Sequence, residues 1–98
     1  MQVATTLSPE QAKFALWVSE QMPHLEHLFD WNEKSFKLEA AEAYLSTASH
    51  SEIIMAKFVL GVWRNTNQFD FDLIEAAKTL DARNRSIIVN WLNAPFFP

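Results

Sequence analysis

At 98 residues the chain has room for one domain with a single modest core, and 49% hydrophobic against 20% charged residues excludes intrinsic disorder. The absence of cysteine excludes disulfides, thiolate nucleophiles and cysteine-ligated zinc or iron–sulfur centres. A net charge of −4 argues against nucleic acid as the main partner, although the charge is uneven: residues 1–50 carry −4 and residues 51–98 are neutral.

Glycine occurs once, at Gly61, inside the most apolar helix-like stretch. Hairpin-linked sheets draw on glycine for left-handed backbone, whereas helices joined by short loops do largely without it. The expected fold is therefore all-α, a small irregular (orthogonal) bundle of about five helices around a central apolar helix near residues 50–65. It forms one domain over residues 1–98. The longest apolar run, Ile53 to Trp63, is broken by Lys57 and is too short to span a bilayer, and residues 1–8 lack the pattern of a signal peptide. The expected setting is cytoplasmic, with no membrane partner.

Residues 1–7 read as a flexible lead. Ser8-Pro9-Glu10-Gln11 resembles a capping box, predicting a first helix over about 9–22 that ends at Pro23. Phe14, Ala15, Val18 and Met22 share its inner face, while Trp17 and Leu16 flank the opposite one. Residues 23–30 read as a short helix or turn, with Leu25, Leu28 and Phe29 inward. Asp30 or Asn32 then offers a cap for a third helix reaching about Thr47, whose strip of Ser35, Glu39, Glu42 and Ser46 faces water.

Ser49-His50-Ser51-Glu52 is a second capping box and opens the helix over about 50–65. Only His50, Lys57, Gly61 and Arg64 interrupt its apolar circumference, so it is predicted to be central and enclosed. After a loop over 65–69, Asp70 reads as the cap of a helix over about 71–79, with Phe69 and Ile74 as a hydrophobic staple. A break at Leu80-Asp81 precedes a last helix over about 82–93 that buries Ile87, Ile88, Trp91 and Leu92. Pro95 stops it, leaving the aromatic and proline tail over residues 94–98.

No segment carries a catalytic, metal or cofactor signature. Nucleophile elbow, phosphate loop and nucleotide fingerprint are all missing, and pairs such as Glu39 and Glu42 lie on a solvated strip with no pocket. No enzymatic activity, metal or cofactor is expected. His24, His27 and Asp30 could face one way on a helix, but their spacing matches no ligand motif and adjoins Pro23.

Three surfaces merit a place. Trp17, Trp31, Phe96 and Phe97 are candidate aromatic anchors for a protein partner or for self-association as a homodimer, unless the tail docks on its own domain. The strip of His50, Lys57, Gly61 and Arg64 is the candidate site for an anion or small molecule, or else the solvent edge where Gly61 admits a neighbouring helix. Residues 70–93 loosely follow a helix-turn-helix outline in which Arg83, Ser86, Asn90 and Asn93 line one strip and Arg85 could meet a phosphate. By exclusion, the sequence favours a small regulatory or interaction protein without catalysis.

Overall fold

Two capping boxes start the helices on which the rest is built. In the first, the Gln11 amide donates to Ser8 Oγ at 3.1 Å and the Ser8 amide donates to Gln11 Oε1 at 3.0 Å. In the second, the Glu52 amide donates to Ser49 Oγ and the Ser49 amide to Glu52 Oε1 at 3.0 Å. Each reciprocal pair satisfies backbone donors that a helix start leaves open. In the computed structural model, which describes residues 7–98, these boxes open α1 (Pro9–Gln21) and α3 (His50–Arg64). Apart from Leu7, the lead expected over 1–7 lies outside the described residues.

Between them come a 3₁₀ helix (Pro23–Leu28), an antiparallel hairpin of β1 (Phe29–Asp30) and β2 (Ser35–Phe36), and α2 (Leu38–Thr47). After α3 follow α4 (Leu73–Thr79), α5 (Ala82–Asn93) and a tail. The chain is thus a compact, mostly helical globule, and its radius of gyration of 13.0 Å is that expected for one domain of this length.

The hairpin corrects the sequence reading, which ran a third helix from about Asp30. Asp30 Oδ1 does accept from the Glu33 amide at 3.1 Å, the bond an N-cap would make. Lys34 then takes a left-handed φ of 53°, which turns the chain back instead of continuing it. Phe29 pairs with Phe36 and Asp30 with Ser35, so α2 begins only at Leu38. The shortage of glycine therefore did not exclude a hairpin. Lys34, Asn65 and Asp70 supply the positive φ values in its place.

Asp70 also differs from expectation. With φ at 59° it belongs to the loop, where the Phe71 amide donates to Asn67 Oδ1, and Asp72 is the true cap of α4 through the Glu75 amide. The staple between Phe69 and Ile74 does not form. Phe69 meets Phe36 edge-on at 5.5 Å, and Ile74 stands 69% exposed.

The central helix is as the apolar circumference predicts: Ile54, Met55, Ala56, Phe58, Val59, Leu60 and Val62 of α3 are all buried. Phe14 and Val18 of α1, Met22 at its C-terminal cap, and Leu25 and Leu28 of the 3₁₀ helix contribute to one core together with Ala76, Leu80, Ile87 and Ile88. Aromatic contacts bind the elements together. Phe14 meets Phe29, Trp31 and Trp63 at ring separations of 5.3, 6.2 and 5.1 Å, and Trp31 stacks on Phe29 with an interplanar angle of 4°. Such pairs add about 0.5–1.5 kcal/mol each beyond their area.

Burial separates otherwise similar leucines. Leu60 is fully buried and Leu16 is 57% exposed. In urea denaturation, Leu60→Ala should cost about 2–5 kcal/mol, the range for truncating a packed core leucine. Leu16→Ala should stay within about 0.5 kcal/mol of the parent, as surface changes do.

Candidate functional site

The end of α3, the loop after it, α5 and the tail enclose an apolar groove of about 360 Å³. Phe58, Ile88 and Trp91 form part of its lining, with Leu73 of α4, Leu92 of α5 and Phe97 of the tail among the others. No titratable side chain lines it. A smaller depression of about 110 Å³ between α4 and α5 shares Leu73, Ile88 and Leu92 with the groove, so the two form one continuous surface. Four of the lining side chains are poorly covered: Leu73, Val89, Leu92 and Phe97 are 44–56% exposed. These are four of the seven most exposed large apolar residues among those described; Leu16, Leu38 and Ile74 line neither depression.

Local chemistry explains the wall beside Gly61. Asn65, in left-handed conformation, ends α3 with its amide on the Val62 carbonyl, while the Thr66 amide donates to the Gly61 carbonyl at 3.1 Å. This is a Schellman closure, and it folds the loop tightly against the last turn. A Cβ on residue 61 would stand 3.0 Å from the Thr66 carbonyl oxygen. The close neighbour of Gly61 is thus the returning loop, where the sequence reading expected another helix or an anion.

The other members of that strip are spread along α3. His50 Nε2 lies 2.7 Å from Glu75 Oε2, tying the start of α3 to α4. Arg64 donates through Nε to Gln68 and lies over the Phe36 ring at 5.8 Å. Lys57 sits half-buried between them, two turns from Arg64. A separate polar recess of about 230 Å³ is lined by Arg64 together with Lys34 and Gln11. His50, Lys57 and Arg64 do not converge on one point.

The expected aromatic anchors divide. Trp17, placed by sequence on an outer face, is half-buried against Phe14, Phe58 and Phe96. Trp31 is half-buried against Phe29 and Trp63. Phe96 folds back onto Trp17 with ring centres 5.2 Å apart and lies beneath Lys13 Nζ, while its carbonyl accepts from Trp91 Nε1 at 3.1 Å. Phe97 stays 44% exposed and meets Trp91 edge-on at the groove.

On α5, Arg83 donates to the Gln21 carbonyl at the end of α1 and Arg85 donates to the Leu80 carbonyl. Both arginines of the nucleic-acid strip are therefore engaged by their own chain, and Ser86 and Asn90 remain exposed. Among the described residues no three His, Cys, Asp or Glu side chains gather as metal ligands. His24 offers its carbonyl to His27 Nδ1, and Asp30 is occupied in the hairpin turn. The Tyr44 hydroxyl is covered without a hydrogen-bond partner, and burial, then the Glu52 charge, push its pKa up. No helix among the described residues is long and apolar enough to cross a membrane.

The sequence reading missed Leu73 and Val89 altogether and placed Leu92 in the core, where it is 53% exposed. One signal was available. Val89 and Leu92 form an i, i+3 pair beside the inward stripe of Ile87, Ile88 and Trp91, an apolar arc wider than a peripheral helix needs. Compared with known proteins, the chain matches no protein family, no curated protein and no solved structure.

Two measurements check this geometry. Alanine exceeds glycine in helix propensity by about 1 kcal/mol, yet Gly61→Ala should lower the urea midpoint because its methyl meets a carbonyl held in the Schellman closure. The Glu75 carboxyl is held below the ordinary glutamate value, first by the His50 hydrogen bond and then by Lys78. A carboxyl lowered in the folded state contributes stability above its unfolded value of about 4.3 and loses it as the pH falls through the folded one. Glu75→Gln should accordingly flatten the acid limb of stability against pH below about 4.3.

Proposed function

We propose that this chain is a small, non-catalytic interaction domain whose binding surface is the apolar groove and its surroundings on α4, α5 and the tail. One observation carries the reading: four of the seven most exposed large apolar side chains among the described residues line this face. Scattered exposed leucines are ordinary on a soluble protein, whereas a contiguous apolar area around a groove is the usual mark of a partner site. The chemistry of the lining points the same way. Aromatic and aliphatic groups with asparagine and threonine, and no acid, base or cation, suit burial of an apolar partner surface better than bond-making.

Edge-on packing of Trp91 between Phe58 and Phe97 gives the groove a large, rigid contact group. Trp is enriched among interface anchors because it buries much area and has few torsions to immobilise. A photo-crosslinking amino acid at position 89 in the chain's native cells tests the reading. Val89→p-benzoylphenylalanine should yield adducts with a polypeptide, and the same residue at Glu42, on the exposed face of α2, should not. No adduct at 89, or equal yields at both positions, would overturn the assignment.

A further inference from the structure

We infer that the polar recess at Lys34 and Arg64 is a binding site for the phosphate group of a small ligand. It shares no lining residue with the apolar groove. Three parts of the chain bring donors to it: Gln11 in the first turn of α1, Lys34 in the hairpin turn, and Trp63 with Arg64 in the last turn of α3. Pro98 of the tail closes the remaining side, and no Asp or Glu lines it.

Charge is the first argument. Acids outnumber lysines and arginines by twelve to eight in this chain, yet neither Lys34 nor Arg64 has an acidic partner. The ion pairs among the described residues join Glu75 to His50 and to Lys78. Two cations sharing one recess repel each other, and an anion between them turns that repulsion into attraction. Arg64 is held in place through Nε, which donates to Gln68 Oε1 at 3.2 Å, and its guanidinium lies over the Phe36 ring. Its terminal nitrogens make no further bond among the described residues. Gln11 Oε1 accepts from the Ser8 amide, so Nε2 is the end left to donate, and the Trp63 indole nitrogen can only donate. The side chains of the recess thus offer donors and two positive charges, which balance a phosphate dianion better than a single carboxylate.

Backbone strain is the second argument. Lys34 has a φ of 53°, a conformation that suits glycine, asparagine or aspartate and that a lysine adopts at a cost. Its side chain forms no hydrogen bond or ion pair among the described residues that would offset this. Folding therefore gives no reason for a lysine at this corner, whereas an anion in the recess does. The net charge of −4 then selects a small ligand, since it repels a polyanion along its whole length. Arg83 and Arg85, which could have held a nucleic-acid backbone, are bound to carbonyls of their own chain.

A proton–nitrogen correlation spectrum of the whole chain, titrated with sodium phosphate at about pH 8 and constant ionic strength, tests the site. The Trp63 indole and the Lys34 and Arg64 amides should shift saturably, with a Kd on the order of 1 mM. Acetate should bind at least about tenfold more weakly. Lys34→Gly should raise the Kd for phosphate at least about tenfold and leave the urea midpoint at or above that of the parent, because glycine relaxes the left-handed turn. Arg64→Gln should weaken binding as much, and Lys78→Gln, on α4, should not change it. Far-UV circular dichroism checks folding, and Lys34→Gly alone decides if Arg64→Gln is unfolded. No saturable shift up to about 50 mM phosphate, or the same shifts with chloride, would overturn the site. So would a folded Lys34→Gly that binds like the parent, equal loss in Lys78→Gln, or acetate binding as tightly as phosphate. A single-stranded oligonucleotide that binds more tightly per phosphate than the free anion would overturn the small-ligand class.

Discussion

The constraint on which this structure depends is that α3 is apolar around nearly its whole circumference and must be covered from every side. A fifteen-residue helix of that kind cannot be exposed, and the other segments of the chain are too short to wrap it individually. α1, the 3₁₀ helix and the hairpin cover one flank through Phe14, Leu25 and Phe29, while Ala76, Leu80 and Ile88 bring α4 and α5 against another. Each covering element spends its best apolar stripe on this task. The aromatic contacts joining Phe14, Trp31 and Trp63 then hold the covers to one another as well as to the helix.

The same constraint accounts for the exposed face. α4 has only seven residues and α5 twelve, and both lie at the outside of the assembly with no further layer beyond them. Their inward stripes, Ala76 on one and Ile87 with Ile88 on the other, suffice for packing on α3. Leu73, Ile74, Val89 and Leu92 exceed that requirement. Stability of the isolated fold gives no reason for their being apolar, since leucine and valine on a bare helix surface contribute little to the folded state.

Much of this was legible in the sequence because the signals were local. Ser8 with Gln11 and Ser49 with Glu52 announce their helices through side-chain to backbone bonds within four residues, and the circumference of α3 announces burial directly. The failures were those where a local signal is shared by two structures. Asp30 accepts the amide three residues on whether a helix or a hairpin turn follows, and the left-handed turn at Lys34 that decides between them has no marker in a lysine. Asp70 and Asp72 both suit a cap, and only the bond from the Asn67 side chain to the Phe71 amide selects the later one. Leu92 differs from Trp91 only in orientation, which depends on how α5 rolls against α3 and is a property of the whole assembly.

The contact between Phe96 and Trp17 has a consequence for how the chain is made. These rings come from opposite ends of the described residues yet lie edge-on at 5.2 Å, so joining them closes most of the described chain into a loop. During synthesis α1 emerges long before residue 96, and until then Trp17 lacks the ring that covers it. Until residue 96 has been made and has cleared the ribosome, the nascent chain therefore carries an indole without this cover.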